Sequence, residues 1–190
     1  RKCFDGNYLP SHDEIHHSRT WAYARKLINS LSSSTLFSLK KIENVALAAF
    51  LHDTGMSVTL EKDHGKAGRI LAERFISLHN LSVEYFAEAL KAIEHHDDKE
   101  YTKYTEKTTP NFQSVLQILS LADDMDALGY VGVFRYYEIY LLRGISMYNL
   151  PAEVIRNLNK RYGYMAPWLE DLPGWEKILK RRFEIIHGFY

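Results

Sequence analysis

Apolar residues along this chain recur mainly at the three- and four-residue spacing of amphipathic helices, and the alternation typical of strands is almost absent. Ser11 followed by Glu14 forms a capping-box pattern, which predicts that a first helix opens there. The apolar face of this helix continues through Trp21, Ala24, Leu27 and Ile28. The serine-rich stretch 30–38 predicts a loop before the next helix.

The second predicted helix, 42–51, is apolar nearly all round, which indicates the buried central helix of a bundle. It leads directly into His52 and Asp53, and Gly55 is a natural C-terminal stop. A third helix is expected to follow His64, and a fourth to span 83–96.

The charged, threonine-rich segment 97–109 predicts a loop, after which Thr109-Pro110 resembles an N-cap followed by a first-turn proline. A fifth helix then runs through Val115, Leu119 and Ala122. The remainder, 130–190, is crowded with aromatic residues and is divided by Pro151, Pro167 and Pro173, which predicts about three further helices. We therefore expect one all-α domain over 1–190: a helical bundle at 11–128 with a helical, aromatic-rich C-terminal extension, 129–190, packed on it.

The composition argues against some functional classes but does not identify the function. The chain of 190 residues is 46% hydrophobic, and its 24 basic residues equal its 24 acidic residues, which argues against a partner of duplex nucleic acid. Cys3 is the single cysteine, so no intrachain disulfide can form. No apolar run reaches membrane-spanning length, so a cytoplasmic location without a membrane partner is expected, with a homodimer as the base-rate oligomer.

Histidine and aspartate residues at the helix faces and ends are the candidate functional groups. Such groups are costly to bury unless something compensates them, and a bound cation is one such compensation. Helical spacing leaves His16 and His17 tied, because both share a face with apolar residues. Helical spacing favours His96 over His95 as the inward-facing residue, because His96 shares its helix face with Ile93 and Ala89.

Farther along, Asp123 and Asp126 fall on one stripe of the fifth helix, while Asp124 follows Ser120 and Leu121. The plain alternative is that these three carboxylates form a solvated acidic face. The pair His12-Asp13 lacks an apolar lead-in and is interpreted as polar residues at a helix start.

Taken in order, these residues resemble the HD-domain superfamily of metal-dependent phosphohydrolases, over roughly 11–128. The first family motif is a histidine, two residues, an arginine and a β-branched residue; it matches 16–20 and selects His16, with Thr20 where valine is usual. The signature pair matches His52-Asp53, and the next histidine matches His64. The double-histidine motif matches 93–97, where its isoleucine selects His96 and its trailing acidic residue would select His95 as a substitute. The closing motif matches 121–126 and makes Asp123 the ligand.

The resemblance implies one divalent ion held by His16, His52, Asp53 and Asp123, and a second held by His64 and His96 with Asp53 bridging. Imidazole and carboxylate ligands suit Mn, Fe, Co, Ni, Zn or Mg. Two such ions, about 3.5–4 Å apart, would activate a water for attack on a phosphomonoester or phosphodiester, and the expected substrate is a nucleotide or related small molecule. Asp53 would take a catalytic part as the bridge, Asp126 would orient groups at the centre, and Lys66 would contact phosphate.

Two other functions are compatible with the same residues. Some relatives with six ligands are dinuclear iron oxygenases, and a non-catalytic ligand-binding HD domain would keep the fold. The hydrolases of guanosine alarmones usually carry a Glu-Asp motif after the His-Asp pair, and this motif is absent here.

Overall fold

The computed structural model describes residues 9–31, 37–61, 63–97, 114–169 and 172–190. None of these residues lies in a strand, and most lie in helices, so the all-α prediction is confirmed. By compactness the chain divides into unit 1, Arg1–Ala122, and unit 2, Asp123–Tyr190.

The described α-helices are α1 Glu14–Leu31, α2 Leu39–Leu51, α3 His64–Leu78, α4 Ala87–His95, α5 Val115–Asp126, α6 Gly129–Leu142, α7 Leu150–Leu169 and α8 Trp175–Phe189. Two short 3-10 helices, Pro10–His12 and His52–Ser57, precede α1 and follow α2. Thr109-Pro110, the predicted start of the fifth helix, lies outside the described residues.

Unit 1 packs α1 against α2, α2 against α4, and α3 against both α4 and the 3-10 helix His52–Ser57. Its core contains the fully buried side chains of Leu27, Val45, Ala48, Ile76, Leu90 and Ile93. Although α2 is apolar nearly all round, it is not buried on every side, because Phe50 is 43% exposed. The helix buries one face, through Asn44, Val45, Ala48 and Ala49.

Asp13, rather than Ser11, caps α1. The backbone N–H groups of Ile15 and His16 donate to Asp13 Oδ1 over 2.9 and 3.1 Å, which is the bonding of an N-cap side chain. Ser11 lies in the preceding 3-10 helix and is hydrogen-bonded to His12 Nδ1 at 2.8 Å. The interpretation of Asp13 as a helix-start residue is confirmed, while the capping box was wrong because the chain makes one extra turn first.

Unit 2 packs α6, α7 and α8 against one another, so the three predicted C-terminal helices are present. Pro167 was expected to separate helices but lies inside α7. It stands two residues before the helix ends, so the backbone hydrogen bond that proline cannot donate is lost only in the last turn. Among the described residues, no helix combines the length and apolar character needed to cross a membrane.

Candidate metal centre

The carboxylate of Asp53 lies between two pairs of histidines in unit 1. Helix α2 ends at Leu51, and the tight 3-10 helix that follows turns His52 and Asp53 into the interior, where they are 0% and 4% exposed. Asp53 Oδ2 is 3.1 Å from His16 Nε2 and 3.2 Å from His52 Nε2.

The other carboxylate oxygen, Oδ1, faces the second pair. It lies 3.1 Å from His96 Nε2 and 3.5 Å from His64 Nε2. Within each pair the Nε2 atoms are close to each other: 3.1 Å between His16 and His52, and 3.2 Å between His64 and His96. One carboxylate therefore presents one oxygen to each pair.

Three of these imidazoles are oriented by the same local contact. The Nδ1 atoms of His52, His64 and His96 lie 3.1, 2.9 and 2.7 Å from the carbonyl oxygens of Ala49, Glu61 and Ile93, in each case the residue three positions earlier. A carbonyl can only accept, so each Nδ1 donates its proton there. The Nε2 lone pair of the neutral ring is then directed at Asp53, in the arrangement usual for metal-binding histidines.

These donors fit a divalent ion. Two neutral Nε2 lone pairs about 3 Å apart, beside a carboxylate oxygen, repel one another unless a proton or a cation lies between them. Donors that share a tetrahedral ion at about 2.1 Å are about 3.4 Å apart, close to the separations seen here. His16, His17, His52 and Asp53 offer one group of potential ligand atoms, and Asp53, His64 and His96 offer another.

Two glycines allow the second pair to come close to the first. A Cβ on Gly55 would stand 1.9 Å from the carbonyl oxygen of His64, so only glycine lets the 3-10 helix lie against the start of α3. A Cβ on Gly65 would stand 2.6 Å from the carbonyl oxygen of Glu94, near the end of α4. The tight approach of these backbones brings His64 and His96 together.

The pKa shifts of Asp53 and His64 are in the directions expected for a site that attracts positive charge. Burial would raise the pKa of Asp53, but the charge of His52 and hydrogen bonds from His16, His52 and His64 hold this pKa well below its usual range. Burial disfavours the charged form of His64, yet the hydrogen bond and charge of Asp53 raise its pKa overall. Burial, together with the charges of His52 and His64, outweighs the effect of Asp53 and lowers the pKa of His96. The low pKa of Asp53 and the raised pKa of His64 both reflect the attraction between this carboxylate and positive charge at the centre.

Two residues near the centre had no predicted role. Asp97 Oδ2 lies 3.5 Å from His64 Nδ1 and 3.3 Å from the backbone nitrogen of Gly65, so it supports the orientation of His64. His17 is 7% exposed and belongs to the first donor group. Helical spacing had left His17 tied with His16, and both point inward.

The remaining predicted site residues differ in their burial and in the unit to which they belong. His95 is half-buried at the end of α4, whereas His96 is 3% exposed and contacts Asp53. Lys66 is exposed in the first turn of α3, two residues after His64. Asp123 and Asp126 belong to unit 2, and their roles stay predictions.

The acidic residues at the end of α5 are not a solvated face, since Asp123, Asp124 and Asp126 are 5%, 0% and 0% exposed. Arg135 of α6 donates to Asp123 Oδ1 at 3.1 Å and to Asp126 Oδ2 at 3.2 Å. Arg161 of α7 donates to Asp124 Oδ1. Each buried carboxylate is thus compensated by an arginine, as burial of charge requires.

The family described as HD domain matches residues 14–128. A solved structure from Lactobacillus plantarum, determined as a Northeast Structural Genomics target, is similar with a TM-score of 0.64 and 16% sequence identity. The similarity covers 99% of this chain and 89% of that one, and at this identity it shows the fold. No curated protein matches the chain.

Proposed function

Because the chain belongs to the HD-domain family, we propose that it is a metal-dependent phosphohydrolase acting on a phosphomonoester or phosphodiester of a nucleotide or related small molecule. HD domains are commonly metal-dependent hydrolases. The observation that carries the proposal is the position of Asp53, with one oxygen toward His16 and His52 and the other toward His64 and His96.

In this proposal each residue has a defined part. His16, His52 and Asp53 would hold one divalent ion, and Asp53, His64 and His96 would hold the other. Asp123 stays a ligand implied by the family motif. When bound, such ions neutralise charge on phosphoryl oxygens and lower the pKa of an attacking water. Asp53 stays anionic at neutral pH because its pKa is held low, so it binds cations without first losing a proton.

Residues around the donors position them. The Nδ1–H groups fixed by Ala49, Glu61 and Ile93 keep three imidazoles aimed at Asp53. Arg135 holds both Asp123 and Asp126, so Asp126 acts by fixing the arginine that orients Asp123. Lys66 is an exposed cation in the first turn of α3, and we assign it to the substrate phosphate.

The test is a panel of phosphorylated compounds assayed with added Mn²⁺, Co²⁺ or Ni²⁺. The unaltered protein should release phosphate or cleave a diester from at least one compound, and a chelator should stop the reaction. Asp53→Ala should abolish both metal binding and hydrolysis, because it removes a ligand of both ions. Glu176→Ala, at an exposed carboxylate in α8, is the control and should keep full activity.

Full hydrolysis by Asp53→Ala would contradict the proposal. Imidazoles with one carboxylate also suit iron, so the same preparations should be assayed for iron content and for oxygen consumption with each compound. Turnover that requires iron and dioxygen would instead identify the protein as a dinuclear iron oxygenase. Metal binding without turnover on any compound would indicate a non-catalytic ligand-binding domain.

A further inference from the structure

His17 is a buried histidine beside the centre, at a position to which the HD motif assigns no residue type. It directly follows His16 in α1 and is 7% exposed. The motif requires a histidine, two unspecified residues and an arginine, and His17 is the first of the unspecified two. A histidine here is therefore a property of this chain.

The geometry of His17 is that of a potential ligand. One donor atom each from His16, His17, His52 and Asp53 lies within 4.8 Å of all the others. The ring of His17 is 5.3 Å from the rings of both His16 and His52, tilted by 58° and 61° rather than stacked. Donors that share a tetrahedral ion at about 2.1 Å are about 3.4 Å apart, so closing the group around one ion needs a contraction of at most about 1.4 Å for the widest pair.

We propose that His17 is an additional ligand of the ion held by His16, His52 and Asp53, and that this site consequently selects first-row transition ions over Mg²⁺. Three imidazole nitrogens and one carboxylate form a nitrogen-rich donor set. Mg²⁺ binds oxygen ligands, whereas imidazole favours ions such as Co²⁺, Ni²⁺ and Zn²⁺. The inference rests on the metal centre of the proposed function but is independent of its phosphate substrate.

His12 provides a matched control. It is also a buried histidine, 6% exposed, and its ring lies 5.4 Å from that of His16. It is hydrogen-bonded to Ser11, and it belongs to neither donor group of the described residues. Removing His12 therefore removes comparable packing without removing a donor.

The experiment is a titration of the metal-free protein with Co²⁺, Zn²⁺ and Mg²⁺, without substrate. Loss of a group that hydrogen-bonds to a metal ligand typically weakens metal binding by 10–100-fold, so loss of a ligand itself in His17→Ala should weaken one of the two Co²⁺ sites by at least about 100-fold. His12→Ala should stay within about threefold of the unaltered protein, well short of such a loss. The unaltered protein should bind Co²⁺ and Zn²⁺ in preference to Mg²⁺ at this site.

A second measurement needs no variant. In the unaltered protein loaded with two Co²⁺ ions, proton NMR should show paramagnetically shifted imidazole N–H signals from five histidines: His16, His17, His52, His64 and His96. Signals from four histidines, or equal Co²⁺ affinity in His17→Ala and the unaltered protein, would overturn the inference and leave the metal centre intact. Failure of the unaltered protein to bind any ion would overturn both the inference and the proposed function. Binding that depends on His17 without phosphate-ester cleavage would support the inference and remove only the proposed function.

Discussion

Asp53 and the imidazoles around it depend on one another for their charge states. A buried carboxylate is unfavourable alone, and its pKa stays low only because histidines surround it. Asp53 in return raises the pKa of His64, whereas burial and the neighbouring histidines leave the pKa of His96 lowered. Removal of one partner therefore leaves the others in an unfavourable environment.

The neighbouring histidines His95 and His96 give a direct test of helical facing. His96→Ala should remove a ligand and reduce affinity for one ion by at least about 100-fold, with a comparable loss of activity. His95→Ala, at a half-buried position outside the donor groups, should have a mild effect on both. Metal titration and kcat of the two variants would check this. A severe loss in His95→Ala beside a mild one in His96→Ala would mean that the ligand is the other histidine.

Sequence spacing predicts which of two neighbouring residues faces inward, but not what it meets there. The apolar residues before His96 were sufficient to favour it over His95. Asp97 could not be predicted to support His64, because that contact depends on the approach of α3 to α4 and not on spacing within either helix. His17 remained tied with His16 for the opposite reason: both are buried, so there was no choice to make.

At the scale of helices, glycines at two otherwise similar positions should behave in opposite ways. Gly65 in α3 has no room for a Cβ, while Gly163 in α7 has nothing within 4 Å of that position. Gly65→Ala should be destabilising and should weaken the second ion, because α3 must move away from α4. Gly163→Ala should stabilise the protein by roughly 0.5–1 kcal/mol through helix propensity.

Thermal unfolding of both glycine variants, with metal titration, is the measurement. Equal stability in the two variants would show that the close approach of α3 to α4 is not required for folding. Gly163 also serves as the control for the loss of glycine itself, since both positions are helical.

Helices were easier to predict than their ends. Apolar periodicity correctly indicated α1 to α4 and the three helices of unit 2. Their ends depend on single contacts: Asp13 rather than Ser11 caps α1, and Ser38 accepts a hydrogen bond from the Lys41 N–H to start α2 earlier than expected. Pro167 was misinterpreted because a proline in a final turn disrupts little.

At the scale of the whole molecule, bound ions should contribute to folding stability. Ions that bind the folded chain but not the unfolded one stabilise it by about 2.7 kcal/mol at a concentration 100 times Kd. For a chain of this size that corresponds to a rise in Tm of roughly 5–10 °C. Calorimetry with and without Co²⁺ would measure it, and a chelator should reverse it. Asp53→Ala should show no metal-dependent shift; a shift of full size in that variant would place the stabilising ions elsewhere.

The division of the chain into two units could not be predicted from the sequence. The predicted boundary between bundle and extension, at 128–129, stays a prediction. By compactness the chain divides between Ala122 and Asp123, inside helix α5. A boundary within a helix leaves no proline, glycine or change of composition in the sequence. Whether the extension packs on the bundle stays a prediction.

The carbonyl groups that orient His52, His64 and His96 bear on how this protein can change over evolutionary time. Every amino acid supplies a carbonyl, so mutations at Ala49, Glu61 or Ile93 leave the aim of the histidine rings untouched as long as the main chain keeps its path. This contact therefore does not constrain side-chain identity at the three positions, although burial still constrains Ala49 and Ile93. The orientation of these three rings depends on backbone conformation. A single substitution can therefore disturb it only by changing the path of the main chain.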